Sequence, residues 1–370
     1  CRSREVTPPP PSSPQPPIPP EQLRAGAHWL TGDGADNDVV ISSRVRIARN
    51  IDGFAFLSKA DNDLRQQTLE LCRDRLMHCG LGRRTLWLDV HKTPTLDRTL
   101  LVERHLMSKE HARGDAPRGL LVSLPDEHLS VMVNEEDHLR LQSLRAGLAL
   151  SQAWAQVNDA DDRLDGLIDF AFSPRFGYLT SCPTNVGCGV RMSVMLHLPA
   201  LRLTNDIDKA KRAARDMNLT VRGFYGEGSE ATGDLYQISN QTTLGKSEAA
   251  LLNDIEADIV PDIVRAEREA RRRIMDVRRR FMEDLCWRAL GTLRAARLLA
   301  PEEALTMLSL TRLGALLGIL PNLSEATVNQ LMLMVQPAHL QRITGQDMDQ
   351  QRRREARADL VRARLAGAHG

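Results

Sequence analysis

Hydrophobic and polar positions follow a strand-like period first along this chain and a helical period later. The segment VVISSRVRIAR alternates every second residue, which predicts a strand with Arg44 and Arg46 on one face and Val45 and Ile47 on the other. RGLLVSL and LSVMVNE predict an antiparallel pair of strands around the turn PDEH. TLWLDV and LLVERHLM predict short strands or strand-to-loop segments. These patterns indicate a sheet in the first part of the chain.

Helical spacing marks other stretches of the sequence. Residues 60–80 and the stretch DHLRLQSLRAGLALSQAWAQVNDADDRL carry apolar residues three and four apart, which predicts two helices. A short helix is predicted over residues 21–30, and from Ser247 onward the pattern is almost entirely helical. Proline-rich segments make no internal hydrogen bonds and build no core. We therefore predict an α+β fold with these parts: a disordered proline-rich extension (1–20), a mixed domain (21–255) and an all-α domain (256–370).

The overall composition excludes several classes of protein. Among 370 residues, 49 basic and 48 acidic side chains give a net charge of +1, which argues against a general nucleic-acid binder. No signal peptide and no run of about 18 apolar residues is visible, so we expect a soluble, cytoplasmic protein that does not span a membrane. Six cysteines spread over this length do not indicate the framework of a disulfide-rich secreted domain.

Three charged segments depart from the ordinary patterning. SSRVR places two arginines on one strand face, NEEDHLR places three acids where a strand is expected to end and a helix to begin, and RGFYGEGSEATGD is a glycine-rich loop. Each has a purely structural explanation: solvated strand arginines, acids that compensate a helix dipole, and an ordinary loop. The sequence contains neither a phosphate-binding loop GxxxxGK[ST] nor the HRD and DFG segments of protein kinases.

Taken together, the three segments suit the transfer of a phosphoryl group to a guanidinium. Phosphoryl transfer depends mainly on positioning and on neutralising charge. Arginine side chains bind phosphate oxygens bidentately and keep their charge, whereas a pair of carboxylates matches a planar, forked guanidinium. The chemistry therefore predicts arginines around a nucleotide and acids around a cationic acceptor.

Four ordered motifs resemble those of the phosphagen (guanidino) kinases: ISSRVRIARN, VMVNEEDHLRLQ, SCPTNVGCGVRMSVMLHLPAL and YGEGSEATGDLYQISNQTTLG. Within that family the chain is most similar to bacterial protein arginine kinases of the McsB type. Three features support this similarity. Only a short helix and a proline-rich tail precede SSRVR, and a helical segment follows residue 255. In addition, Tyr225 stands where metabolite kinases usually have a phosphate-binding arginine. The resemblance implies a phosphagen-kinase-like catalytic domain, built from an antiparallel sheet flanked by helices. It also implies an all-α C-terminal domain that regulates the enzyme, binds substrate or dimerises.

The same resemblance assigns an ATP site, with Mg²⁺ bridging the phosphates through few direct protein ligands. Its main phosphate clamps would be Arg44, Arg46, Arg140 and Arg191. The full set of implied ATP-site residues is Ser42, Ser43, Arg44, Val45, Arg46, His105, Arg140, Arg191, Met192, Ser193, Val194, Met195, Arg222, Gly223, Phe224, Tyr225, Gly226 and Glu227.

On the acceptor side, the resemblance implies that Glu136 and Glu230 hold the guanidinium and that Glu136 is the base. A free guanidinium is protonated at pH 7 and a poor nucleophile, so a carboxylate must take its proton as phosphorus approaches. Cys182 matches the family's reactive cysteine, with a thiolate favoured by nearby arginines; a merely structural thiol is the alternative. Cys188 is interpreted as a packing substitution, and no protein metal site is expected because the two cysteines lack companion ligands.

The end of the chain carries one departure from the family pattern. Arg353, Arg354, Arg357 and Ala358 align with a motif R-D-x-x-R-A that resembles an allosteric phosphoarginine pocket. Arg354 stands where an aspartate is expected, and an arginine cannot hold a guanidinium. We therefore expect this pocket to be altered, lost or adapted to an anion; a solvated basic helix end is the alternative.

Three functions are compatible with these residues. The first is ATP-dependent phosphorylation of exposed arginines in proteins, which would mark them for Clp-type degradation or regulate a stress response. The second is a kinase for free arginine or another small guanidino compound, and the third is an inactive adaptor that recognises arginine-rich proteins. The resemblance alone implies an McsA-like activator, a Clp ATPase or protease, and a homodimer through the helical domain. Nucleic-acid and membrane partners are not expected.

Overall fold

The structure is a computed structural model that describes residue 18 and residues 26–223 and 232–366. Its strands are β1 (Val40–Arg49), β2 (Arg84–Asp89), β3 (Gly119–Leu124), β4 (Leu129–Val133), β5 (Leu139–Ala146), β6 (Phe172–Ser173), β7 (Gly177–Tyr178), β8 (Val190–His197), β9 (Leu219–Gly223) and β10 (Leu235–Asn240). Its α-helices are α1 (Asn62–His78), α2 (Thr95–Glu103), α3 (Leu150–Asp165), α4 (Pro199–Leu203), α5 (Ile207–Asp216), α6 (Glu248–Leu252), α7 (Val260–Ala295), α8 (Pro301–Leu316), α9 (Glu325–Met334), α10 (Pro337–Thr344) and α11 (Gln350–Ala366).

Eight strands form one antiparallel sheet in the order β2-β3-β4-β5-β1-β8-β10-β9. The alternation read in β1 is confirmed, because Val45 and Ile47 are fully buried in the core on one face while Arg44 and Arg46 lie on the other. The pair of strands predicted around PDEH is also confirmed as β3 and β4. The α+β class with an antiparallel sheet and a helical C-terminal region is therefore confirmed.

Two secondary-structure predictions are wrong. The stretch DHLRLQSL was assigned to a helix, but residues 139–146 form β5, and the helix begins only at Leu150. Between them, Gly147 has a φ of +63°, and a Cβ there would lie 2.6 Å from the backbone of Gly34, so the turn requires glycine. LLVERHLM is predicted to be a strand or a strand-to-loop segment, but its first half ends α2 at Glu103 and its second half is a loop. Both segments are so short that their apolar residues fit the spacing of a helix and the spacing of a strand equally well.

The start of the chain is described only in part. Ile18, inside the extension predicted to be disordered, is buried in a small cluster with Leu100 and Leu120. Of the helix predicted over residues 21–30, the described portion contains one 3-10 turn, His28–Leu30. The other residues before 26 lie outside the described residues.

The helical region (residues 256–366) packs directly on the sheet. The buried Arg312 on α8 donates to the carbonyl oxygens of Asn37 at 2.6 Å and Asp38 at 2.9 Å, just before β1, and lies 2.9 Å from Nδ1 of His197 at the end of β8. One hydrophobic cluster contains Val194 of the sheet together with Leu305 of the helical region. Burying a guanidinium is favourable only where its donors are matched, so these bonds fix the orientation of the helical region on the sheet.

The boundary predicted between residues 255 and 256 falls within a π-helical turn, Asn253–Ile259, that joins α6 to α7. Farther along, α7 departs from helical geometry at Arg278, where φ is −134° and ψ is 38°. The position of the domain boundary therefore stays a prediction. Across residues 26–223 and 232–366, no helix combines the length and the apolar character needed to cross a membrane.

Candidate active site

Four arginines lie on one face of the sheet, on three neighbouring strands. Arg44 and Arg46 are two residues apart on β1, Arg191 on β8 is directly opposite Arg46, and Arg140 on β5 is directly opposite Ala48. Because every second residue of a strand points to the same side, all four side chains share a face. We call this surface the arginine face. It brings together residues that are separated by almost 150 positions in the sequence.

Like charges lie close together on the arginine face. Burial, together with the neighbouring Arg140 and Arg191, lowers the pKa of Arg44 to about 10. Burial and the same neighbours lower the pKa of Arg46 well below its ordinary value. The mutual repulsion of these like charges is relieved when an anion binds. The face is therefore suited to a polyanion such as the triphosphate of a nucleotide.

The acids of NEEDHLR lie in the turn between β4 and β5, so the predicted start of a helix at this segment is wrong. Glu135 is buried, pairs with Arg140 and accepts a hydrogen bond of 2.6 Å from the Ser108 hydroxyl. Burial alone would raise the pKa of Glu135, but Arg140 and the hydroxyl lower it to about 2. Asp137 accepts bonds from the side chain of Asn50 at 2.7 Å and the amide of Ser181 at 2.6 Å. Two of the three acids thus hold the structure of the site together.

Glu136, the remaining acid, lies beside Cys182. The Cys182 side chain is close enough to the Glu136 carboxylate to lower its pKa, and the Cys182 sulfur is 3.0 Å from the hydroxyl of Thr184. Burial raises the pKa of Glu136 against the opposing effect of Arg140. A carboxylate with a raised pKa is a stronger base than an ordinary glutamate, and it lies next to the arginine face. The bond between Asp137 and Ser181 fixes the separation of the two segments that carry Glu136 and Cys182.

A cavity of about 480 Å³ opens beside Arg44 on the arginine face and extends to Ser108, which bonds to Glu135. The sheet-containing part of the chain contributes Arg44, Val102, Glu103, His105, Ser108, Lys109 and Gln237 among its lining residues. The helical region contributes Pro301, Glu302, Gln336 and Pro337. The volume is in the range of sites that bind small molecules and nucleotides. Burial, reinforced by Arg44 and Lys109, lowers the pKa of His105 to about 3, so this imidazole is neutral at pH 7.

Comparisons with known proteins agree with this arrangement. The family model described as "ATP:guanido phosphotransferase, C-terminal catalytic domain" matches residues 78–270, and the one described as "Protein-arginine kinase McsB C-terminal domain" matches residues 279–369. A protein-arginine kinase of Halothermothrix orenii is 41% identical over 339 residues, which cover 92% of this chain and 96% of that protein. A protein-arginine kinase of Symbiobacterium thermophilum is 42% identical over 346 residues, with coverages of 93% and 98%.

The chain belongs to the protein-arginine kinase family of ATP:guanido phosphotransferases. It is therefore an enzyme of the guanidino phosphotransferase class. Among solved structures, the duplicated taurocyamine kinase of Schistosoma mansoni matches with a TM-score of 0.57 and 26% identity, over 62% of this chain and 33% of that chain. Lombricine kinase matches with a TM-score of 0.54 and 23% identity, over 70% of this chain and 72% of that chain, which supports the shared fold.

Other residues that the guanidino-kinase motifs assign to the ATP site lie in two different environments. Ser42, Ser193 and Met195 line a small second cavity beside Arg44 and His105. Arg222 lies opposite Gln237 on neighbouring strands and shares its face, and Gly223 follows it at the end of β9. The residues that point into the interior are Ser43, Val45, Met192 and Val194. Phe224, Tyr225, Gly226, Glu227 and Glu230 lie outside the described residues.

Ser43 illustrates how an inward residue supports this guanidino-kinase site. Its hydroxyl donates to the carbonyl of Gly147 at 2.8 Å and accepts from the amide of Ala149 at 3.0 Å. These bonds fasten the end of β5 to β1, and so fix where Arg44 and Arg140 lie relative to each other. Interior members of the motif can thus contribute through the backbone while their side chains pack in the core.

Several residues of this kinase's site were not predicted from the sequence. Gln237 accepts a hydrogen bond of 3.1 Å from Arg44 and lines both cavities. Lys109 and Glu103 line the larger cavity from the segment around His105. Gln237 lies in the motif YQISN, which the resemblance already covered, so its position on the arginine face could have been derived from strand alternation. The four lining residues of the helical region have no comparable signal, because their spacing along the chain is that of ordinary helix starts.

The motif near the C-terminus of this kinase lies on α11. Arg357 is buried and donates to the carbonyl oxygens of Val335 at 2.7 Å and Leu299 at 2.8 Å, and Ala358 is fully buried beside it. Arg353 donates to the carbonyl of Met348 at 2.8 Å. The carbonyl of Arg354 accepts a bond of 3.1 Å from the amide of Leu299. Arg357 therefore serves as a structural clamp within the helical region, and the effect of Arg354 on ligand binding stays a prediction.

Proposed function

We propose that this enzyme transfers the γ-phosphoryl group of ATP to a guanidinium nitrogen of arginine side chains in proteins. The observation that carries the proposal is the placement of four half-buried arginines between a nucleotide-sized cavity and the neighbouring Glu136 and Cys182. In this reaction an N–P bond forms, the bond between the γ-phosphorus and the β,γ-bridging oxygen breaks, ADP leaves, and one guanidinium proton is lost.

The arginines and the acid have complementary roles in this proposal. Arg44, Arg46, Arg140 and Arg191 bind the triphosphate and stabilise the charge that develops during transfer. ATP enters as its Mg²⁺ complex, in which the ion is held chiefly by phosphate oxygens. Glu136 orients the acceptor guanidinium and accepts its proton, and its raised pKa favours that transfer. Cys182 lies next to Glu136 and helps to position this carboxylate beside the acceptor.

Protein side chains are the proposed acceptor for two reasons. The relatives that match nearly the whole chain are protein-arginine kinases, and the helical region matches a domain described for that group. The second candidate is phosphorylation of a free guanidino compound, which the likeness to taurocyamine kinase favours. Both candidates use the same arginine face. An inactive adaptor is a poorer explanation, because such a protein needs no charged face of this kind.

The deciding experiment is mass spectrometry of a disordered, arginine-containing protein incubated with the enzyme and MgATP. Samples are kept at neutral pH because the N–P bond is labile in acid. We expect phosphoarginine with the wild-type enzyme and a loss of at least about 100-fold with Glu136→Gln, which removes the proposed base. Glu110→Gln is the matched control, because Glu110 is exposed and forms a surface ion pair with Arg113, at 2.9 Å.

Three outcomes separate the candidates. Phosphoarginine in the protein, absent with Glu136→Gln and present with Glu110→Gln, supports the proposal. ATP consumption that requires free arginine and leaves the protein unmodified identifies a metabolite kinase instead. If Glu136→Gln phosphorylates as fast as the wild type, the role given to Glu136 is wrong.

We further propose, from the resemblance, a cytoplasmic enzyme that works with an McsA-like activator and delivers its products to a Clp protease. A homodimer through the helical region belongs to the same proposal. Each partner is testable separately by co-purification and by measuring the mass of the enzyme in solution. These partners have no bearing on the chemistry of the arginine face.

A further inference from the structure

The order of groups along β1 gives the bound nucleotide a direction. Starting from the cavity, the arginine face presents Arg44, then Arg46 with Arg191 opposite, and then Arg140 opposite Ala48. At roughly 3.3 Å per residue, Arg44 and Ala48 are about 13 Å apart along the strand. Glu136 and Cys182 lie beyond the Arg140 end. Because the γ-phosphate must meet the acceptor, the triphosphate runs back from Arg140 toward Arg44, and the nucleoside lies in the cavity beyond Arg44.

The far wall of that cavity belongs to the helical region. Pro301 and Glu302 begin α8, and Gln336 and Pro337 lie at the start of α10. The two prolines offer apolar surface, and the Glu302 carboxylate is an acceptor for ribose hydroxyls or an exocyclic amine. A carboxylate repels phosphates, so this wall is chemically suited to the nucleoside and unsuited to the triphosphate.

The wall is also held firmly at two points. Arg357 donates to the carbonyls of Leu299 and Val335. Leu299 lies two residues before Pro301, and Val335 lies directly before Gln336. Glu103, which lines the cavity from the opposite side, accepts from the amides of Ala338 at 2.8 Å and His339 at 2.9 Å. The start of α10 is therefore bonded to the sheet-containing part through a residue of the cavity itself.

We infer that the helical region completes the ATP site, forming the wall that contacts the nucleoside, with Glu302 as a residue that determines nucleoside binding. This inference rests on the proposed function only in taking the arginine face as the triphosphate site. It gives the helical region a direct part in catalysis, in addition to any role in regulation or assembly. It also means that whatever displaces α8 or α10 changes the affinity for ATP.

The test compares two neighbouring glutamates on the first turn of α8. Glu302→Trp places a large side chain in the nucleoside space, whereas Glu303→Trp makes the same change at an exposed position that does not line the cavity. Binding of MgATP and of magnesium tripolyphosphate, which has no nucleoside, is measured by calorimetry on the whole enzyme. We expect Glu302→Trp to weaken ATP at least about tenfold and tripolyphosphate less than twofold. Glu303→Trp should change neither by more than about twofold.

Other results overturn the inference. If Glu302→Trp leaves ATP binding unchanged, the wall does not contact the nucleoside. If it weakens ATP and tripolyphosphate equally, the wall acts on the phosphates or on the fold. A second measurement needs no variant: ATP should slow amide hydrogen exchange in residues 299–303 and 336–340 of the wild-type enzyme more than tripolyphosphate does, and equal exchange with both would contradict the inference.

These results are distinguishable from a failure of the proposed function, because binding requires no acceptor. An enzyme that binds ATP through Glu302 but forms no phosphoarginine supports the nucleoside wall and refutes the protein-kinase proposal. If the wild-type enzyme forms phosphoarginine and Glu302→Trp binds ATP as tightly as the wild type, the protein-kinase proposal is supported and the nucleoside wall is refuted. A wild-type protein that binds neither MgATP nor tripolyphosphate overturns both.

Discussion

Glu103 joins the two parts of the enzyme, and its substitution is the sharpest test of how they are coupled. Its side chain is only 8% exposed and accepts three hydrogen bonds from the start of α10: from the amides of Ala338 and His339 and from Nδ1 of the His339 ring at 2.8 Å. The carboxylate thus caps a helix of the helical region from a helix of the sheet-containing part. Its removal leaves buried donors without an acceptor.

These contacts determine how much stability the enzyme should lose when Glu103 is replaced. Loss of a helix cap costs about 1 kcal/mol, and a buried donor left unsatisfied costs about 1–3 kcal/mol more. We therefore expect Glu103→Ala to lower the free energy of unfolding by roughly 2–4 kcal/mol. Glu103→Gln retains an acceptor oxygen but loses the charge, so it should cost about 1–2 kcal/mol. The KM for ATP should rise in both variants, because Glu103 lines the nucleoside cavity.

The assay is urea-induced unfolding followed by circular dichroism, with ATP kinetics measured on the same preparations. Glu110→Ala is the control, and we expect it to stay within about 0.5 kcal/mol of the wild type because its ion pair with Arg113 is exposed. If Glu103→Ala destabilises by no more than this control, the cap across the two parts contributes nothing to stability and the reasoning is refuted. An unchanged KM for ATP in a clearly destabilised variant would separate stability from the nucleotide site.

Two further predictions concern buried charge. Arg46→Met should keep or raise the free energy of unfolding, because burial and like charges already depress the pKa of Arg46. The same variant should lower kcat at least about 100-fold. In the control, Arg49→Met, the free energy of unfolding should fall by about 3–5 kcal/mol, because Arg49 is buried and paired with Asp161 at 2.6 Å. A destabilised Arg46→Met would show that the repulsion has been misjudged. Burial lowers the folded-state pKa of His105 to about 3 from an ordinary 6.5, so between pH 6.5 and about 3 mainly the unfolded chain is protonated at this site. The free energy of unfolding of the wild type therefore decreases as the pH is lowered through this range. His105→Asn, which tolerates the φ of +60°, should reduce this dependence between pH 6 and 4 by up to about 1.4 kcal/mol per pH unit, measured from unfolding curves.

Strand alternation predicted that Arg44 and Arg46 share a face of β1, whereas Arg140 and Arg191 were predicted from the resemblance. A strand buried on one face and charged on the other has a period of two, and RVRI (residues 44–47) in the middle of VVISSRVRIAR shows it. The turn NEEDHLR was harder to place. Acids before an apolar stretch are typical of a helix start, and only pairing with β4 shows that Leu139 and Leu141 belong to a strand. Local pattern could not supply that pairing.

The motifs grouped Glu135, Glu136 and Asp137 in one acidic run, but the structure gives each a different partner. Glu135 meets Arg140 and Ser108, Asp137 meets Asn50 and Ser181, and Glu136 meets Cys182. Residues adjacent in a tight turn point in different directions, so their environments differ although their chemistry is the same. Arg140 and Ser108 lower the pKa of Glu135 in spite of its burial, whereas burial raises the pKa of Glu136 in spite of Arg140 and Cys182.

The sequence of the helical region does not show that four of its residues line the cavity, because these residues also have ordinary roles at the starts of helices. Pro301 and Pro337 are ordinary first-turn residues that begin helices, and Glu302 is an ordinary acid in a first turn. What makes them a wall is that Arg357 and Glu103 hold the two helix starts against the open end of the arginine face. On the inference that this cavity takes the nucleoside, α8 and α10 form the wall of the site that the sheet does not provide. The position of these two helices is therefore the variable through which the helical region can control the rate of phosphoryl transfer.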